Sequence, residues 1–204
     1  MDALQELWDP QLKQLRERLR LAGCVFEFEV YRLPTAGAAD EDLHRQALAG
    51  LFARLELERE RWRQRLVARH GVADQGLPPV LRVELEQARP ASLDSHAIGQ
   101  LRRTHHWQKG QVPLYAAFRN PPYGTRLGEE EMATLFHDWL DLLGLRADEF
   151  VQVLDWVGEA HRDPNRSDWS NYFDDGKDWW GVWCLSIGNP ARGTLSVLAA
   201  SATD

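Results

Sequence analysis

WWGVWCLSIGNPARGTLSVLAA, residues 179–200, contains two short apolar runs, 179–187 and 194–200, separated by Gly188, Asn189, Pro190, Ala191, Arg192 and Gly193. Runs of this length, rich in aromatic and branched residues and bounded by turn formers, predict two strands joined as a hairpin with a longer loop. Antiparallel pairing at this end of the chain makes a sheet the frame on which the other elements must pack. Four further segments supply strand candidates. In residues 25–30, Phe26, Phe28 and Val30 alternate with Glu27 and Glu29. In residues 80–85, Leu81, Val83 and Leu85 alternate with Arg82 and Glu84, and Glu86 continues the polar side. Period two puts one side of each against a core and the other in water, so the two are expected to share a half-buried sheet. Residues 112–118 and 150–157 complete six strands.

Helical punctuation recurs three times. Asp9 caps a helix that begins at Pro10, where a missing N–H costs nothing; Leu12, Leu15 and Leu19 line one face and Gly23 ends it. Asp40 opens a second, with Leu48, Leu51, Phe52, Leu55, Trp62 and Leu66 at spacings of three and four and Gly71 as its stop. At 1.5 Å per residue it runs to about 45 Å. Its opposite face mixes Glu56, Glu60, Arg59, Arg61, Arg63 and Arg65, the pattern of a solvated, ion-paired surface. Glu129, Glu130 and Glu131 favour the positive end of a third helix, which buries Met132, Leu135, Phe136, Trp139 and Leu143 before Gly144 and leaves His137 and Asp141 outside. Short connections at 34–39, 71–79 and 119–128 and the absence of a long repeat make one domain of residues 1–204. The expected class is α+β: a mixed or largely antiparallel sheet of about six strands against three helices, one of them long.

The chain carries 24 Lys and Arg against 31 Asp and Glu, a formal charge of -7, which argues against coating nucleic acid or an anionic membrane. No run approaches the roughly 20 apolar residues of a spanning helix, and the charged first twenty residues lack the core of a secretory signal. A cytoplasmic protein is expected. Cys24 and Cys184 are its two cysteines, too few for a disulfide framework or a zinc cluster, and both sit in apolar runs.

Unusual residues concentrate after the fourth strand. Residues 158–178 show no clear periodicity, and a connection that long within a compact domain points to a working loop or to disorder. Composition favours order: five of the nine tryptophans lie from Trp156 to Trp183, with Tyr172 and Phe173 among them. Asp155, Glu159, Asp163, Asp168, Asp174, Asp175 and Asp178 outnumber Arg162, Arg166 and Lys177 there. Exposed rings framed by carboxylates suit capture of a basic protein, because rigid aromatics give contact area at low entropy cost and charge steers the partner. The expected binding residues are Asp168, Trp169, Tyr172, Phe173, Asp174, Asp175, Lys177, Trp179 and Trp180. Closing the end of the core is the competing role for the same rings.

Three catalytic or metal patterns compete for this region. Asp163, Asn165, Ser167, Asn171 and Asp174 fall at positions 1, 3, 5, 9 and 12 of a calcium-loop spacing, but Asp168 stands where glycine is wanted and a strand precedes it in place of a helix. Asp155 followed by Asp175-Gly176-Lys177 is similar to a nuclease magnesium arrangement, with the D-x-K outside its strand. Asp155 and Asp174 offer an acid and base for a glycosidase-like cleft. The metal alternative therefore rests on Asp155, Asp163, Asn165, Ser167 and Asp174 in a metal-dependent hydrolase. Asp94, His96, His105 and His106 form a further polar cluster, yet adjacent histidines diverge on either regular backbone. No nucleophile elbow or phosphate-cradling loop occurs. The expectation is a binding module without a cofactor, of the inhibitor, antitoxin or immunity type, with self-association left open.

Overall fold

The computed structural model describes residues 4–34, 37–70, 77–104, 114–146, 149–159, 162–177 and 181–201. In chain order the regular elements are β1 (Gln5–Glu6), α1 (Pro10–Leu21), β2 (Glu27–Arg32), α2 (Glu41–His70), β3 (Ala91–Ser92), α3 (Ser95–Leu101), α4 (Leu114–Arg119), α5 (Glu129–Leu142), β4 (Gln152–Asp155), β5 (Val182–Asn189) and β6 (Thr194–Ser201). The class is α+β: one six-stranded sheet, antiparallel throughout, in the order β1-β2-β6-β5-β4-β3. The hairpin β5–β6 is central and in full register from Val182 opposite Ser201 to Asn189 opposite Thr194.

The three helix starts follow their caps. Asp9 Oδ1 accepts from the Gln11 N–H at 2.8 Å, Asp40 Oδ1 from the Leu43 N–H at 2.9 Å, and the Glu131 carboxylate from the Gly128 N–H at 3.0 Å. Gly23 closes α1 with φ +79°, and a Cβ there would fall 2.6 Å from the Gly124 carbonyl oxygen, so both conformation and space demand glycine. The stop expected at Gly71 lies outside the described residues.

Two sequence expectations are corrected. The sheet is not half-buried: alternate residues of β2, β4, β5 and β6 enter two cores on opposite faces. Phe28, Val30, Val153, Leu185, Ile187 and Leu198 pack with α1, α4 and α5. Tyr31, Leu154, Cys184, Leu195, Val197 and Ala199 pack with α2 and with Trp156, Trp169 and Phe173. Glu29, read as a solvent residue, is accordingly buried on the α2 side, its side chain 4% exposed, and is held by Arg16 at 2.6 Å and Arg54 at 2.5 Å. Burial pushes its carboxyl up and the two guanidinium groups oppose that shift.

The second correction concerns two strand assignments. Residues 114–119 form α4, in which Leu114, Tyr115 and Phe118 are buried at helical spacing; alanine at 116 and 117 favours that choice. Residues 80–84 form no strand and make one isolated bridge, Val83 to Ser170, instead of joining the sheet. The two-residue edge strands β1 and β3 take the outer positions. Among the described residues no helix is long and apolar enough to cross a membrane.

Candidate functional site

The connection from β4 to β5 is ordered by its own polar groups before its rings pack. Asp155 Oδ1 accepts from the N–H groups of Val157 at 3.1 Å and Gly158 at 2.9 Å, turning the chain out of the strand. Arg166 returns to donate to the Asp155 carbonyl at 2.5 Å. Two single 3₁₀ turns follow, Pro164–Ser167 and Asn171–Phe173. Ser170 Oγ accepts from the Tyr172 N–H at 3.2 Å and donates to the Arg82 carbonyl at 2.8 Å. The 80–84 segment latches the loop further. The Glu84 N–H donates to the Trp169 carbonyl at 2.7 Å. Asn171 accepts from the Arg82 N–H at 2.8 Å and donates to the Val80 carbonyl at 3.0 Å.

The expected aromatic half of the binding surface is corrected by burial. Trp169 is 2% exposed, Tyr172 9% and Phe173 0%. Phe52 of α2 lies at their centre, with ring centroids 5.1 Å from Trp169, 5.5 Å from Tyr172 and 6.0 Å from Phe173. The indole of Trp169 donates to the Trp156 carbonyl at 3.1 Å. With their area buried and the Trp169 N–H bonded inside the fold, the rings plug the space between α2 and the sheet and leave little surface for a partner. Burial raises the Tyr172 hydroxyl far above its ordinary range. Trp179, Trp180 and Asp178 lie outside the described residues.

The carboxylates keep the other half. Asp163, Asp168, Asp174 and Asp175 are exposed on the turns that the rings anchor. Lys177 runs beneath them, its Nζ 2.6 Å from Asp168 Oδ1 and 3.4 Å from Asp174 Oδ1. The loop thus presents an acidic rim on an aromatic base, with one lysine tying two of its members.

The metal alternative does not assemble. Asp155 spends Oδ1 on backbone N–H groups, Ser167 is buried, and Asp174 faces Lys177. Among the described residues no three of His, Cys, Asp and Glu lie together as an ion's ligands, which leaves Asp163 and Asn165 as rim residues without a shared centre. Asp94 caps α3 through the Ala97 N–H at 2.8 Å, and His96 faces Gln100 one turn on. His105 and His106 lie outside the described residues. Of the arginine face expected on α2, Arg63 lies 3.8 Å from Glu60, while the pair from Arg54 to Glu58 at 2.8 Å joins residues outside it.

One polar cluster was invisible in the sequence reading. His44, on the apolar stripe of α2 one turn before Leu48, is fully buried, and its Nδ1 is 2.7 Å from Ser186 Oγ on β5. Ser186 Oγ also accepts from the Trp156 indole at 2.8 Å. A serine and histidine at this distance have the spacing of a nucleophile and base. Here both are sealed and the serine oxygen is already shared, so no substrate can reach it. The helical phase of His44 was the available signal: it falls i-4 and i-7 from Leu48 and Leu51. No protein-family model, curated protein or solved structure matches the chain. Function therefore rests on the geometry of the rim and of this network.

Proposed function

We propose that the chain is a cytoplasmic binding module that captures a basic macromolecular partner, a protein, through the rim formed by Asp163, Asp168, Asp174 and Asp175, and that it belongs to the inhibitor, antitoxin or immunity class of activities. The observation that carries this reading is the division of labour in one loop: exposed carboxylates stand on a buried aromatic base. A rim fixed in this way loses little conformational entropy when a partner docks, and its charge speeds encounter with a positive surface. The overall charge of -7 acts in the same direction.

The test is affinity capture from native-host lysate with the wild type and with a triple variant, Asp168→Asn, Asp174→Asn and Asp175→Asn. A basic protein retained by the wild type and lost from the equally stable variant supports the reading. Equal retention by both removes the rim from the contact.

A further inference from the structure

His44 is a buried ionisable group that the surface reading leaves without a purpose. Its surroundings assign its proton. Ser186 Oγ has one hydrogen, and it already accepts from the Trp156 indole N–H. Donating that hydrogen to His44 Nδ1 at 2.7 Å gives it a buried acceptor. That tautomer puts the ring proton on Nε2, on the side of Gln152 of β4; His44 Nε2 and Gln152 Oε1 are both buried without a hydrogen-bond partner. The two atoms are complementary, a donor and an acceptor, although no hydrogen bond joins them in this structure. The hydrogen-bonded chain runs Trp156, Ser186, His44 and links α2 to β5.

Burial among uncharged groups favours the neutral ring. A second ring proton would put a charge where the neighbours, Ser186, Gly188, Gln152 and Ala39, are all uncharged. The nearest carboxylates on the same helix are committed: Asp40 caps α2 and Glu41 pairs with Arg45 at 2.6 Å. The Arg45 guanidinium lies 5.1 Å from the Trp156 ring centre, a positive charge already close to the network. Across the same helix, Glu27 and Glu29 of β2 face Arg54, and burial raises the Glu29 carboxyl.

We propose that protonation of His44 is an acid-operated release for α2: the imidazolium cannot be held between helix and sheet, and α2 lifts away. Phe52 leaves with it, and the rings of Trp169, Tyr172 and Phe173 that stand on Phe52 lose their support. The carboxylate rim then loses its fixed geometry. Burial, which holds the ring down to about 4 from an ordinary 6.5, agrees with this. The release stands whether or not the rim binds a partner, because it is read from helix and loop protection.

The experiment is hydrogen exchange of the full chain between pH 7.5 and 4, corrected for intrinsic rates, with ¹⁵N-histidine NMR over the same range. Opening of α2 and of residues 163–177 should rise up to about tenfold per pH unit below 6.5, since the open state takes up one more proton than the closed one, while β5 and β6 keep their protection. His44→Asn, which cannot be protonated but leaves Glu27 and Glu29 in place, should flatten that slope. The NMR, which needs no variant, should show an Nε2–H tautomer at pH 7.5 that resists protonation down to about pH 4. A flat α2 profile, an unchanged slope in His44→Asn, or a ring that titrates near 6.5 in the folded protein would each overturn the proposal.

Discussion

Replacing Trp169 by alanine tests whether the aromatic loop is core. The ring is 2% exposed, meets Phe52 and Phe173 edge-on at 5.1 Å each, and spends its N–H on the Trp156 carbonyl. A buried indole removes roughly 200 Å² from water, which at about 25 cal/mol per Å² is worth about 5 kcal/mol. Incomplete collapse of the cavity and loss of the hydrogen bond add to this, and partial burial in the unfolded chain subtracts, so the expected cost is about 3 to 5 kcal/mol. That is a large share of the roughly 5 to 15 kcal/mol of an ordinary domain. Urea unfolding followed by fluorescence should show the midpoint lowered by about 2 M at unchanged slope, for a slope of about 2 kcal/mol per M. Trp169→Phe keeps most of the packing and strands the Trp156 carbonyl, so it should cost about 1 to 3 kcal/mol. A Trp169→Ala protein within about 1 kcal/mol of the wild type would refute the placement of the ring, and with it the rigid base of the rim.

Three other outcomes are expected. The His44 ring, about 4 when folded against 6.5 unfolded, contributes stability that is complete above pH 6.5 and is lost as pH falls toward 4; two and a half units correspond to about 3 kcal/mol, measured as the difference between wild type and His44→Asn in urea titrations at pH 7.5 and pH 4. Taking the difference cancels Glu29, whose raised carboxyl pKa acts with the opposite sign and favours the folded state as pH falls. Gly50→Ala should destabilise by about 1 to 3 kcal/mol despite the better helix former, because the new Cβ would lie 2.3 Å from the Tyr31 hydroxyl oxygen, and thermal unfolding should show a smaller loss in a Tyr31→Phe background. Asp168→Asn, Asp174→Asn and Asp175→Asn together should change stability by no more than about 1 kcal/mol, since all three side chains are exposed and the Lys177 ammonium, its side chain 16% exposed, keeps amide oxygens as acceptors.

The legible parts of the fold were those in which one periodicity acted alone. Strands β2, β4, β5 and β6 and helices α1 and α5 follow their expected positions, caps and stripes closely, and α2 does so as far as Leu55, beyond which Trp62, expected on the apolar stripe, is 44% exposed. Residues 114–119 misled because six residues cannot separate a buried helical turn from a buried strand, and only the neighbouring α5 decides. Residues 80–84 alternate as a strand does, but their donors and acceptors are taken by Ser170 and Asn171, side chains some ninety positions away that no local pattern announces. The order of the 163–177 loop followed from its aromatic content. The direction in which the rings point did not, because that depends on Phe52 arriving from α2. Glu29 shows the same limit: an outward-facing glutamate and one clasped by Arg16 and Arg54 look alike until the second layer is in place.

The most direct measurement of the central claim is the dissociation constant of the captured partner for the wild type and for the Asp168, Asp174 and Asp175 asparagine variant, across ionic strength. Charge neutralisation should weaken binding at least about tenfold at low salt and flatten the salt dependence, with both proteins unfolding at the same temperature. Equal affinities and equal salt slopes would contradict the account, because the exposed carboxylates would then take no part in holding the partner.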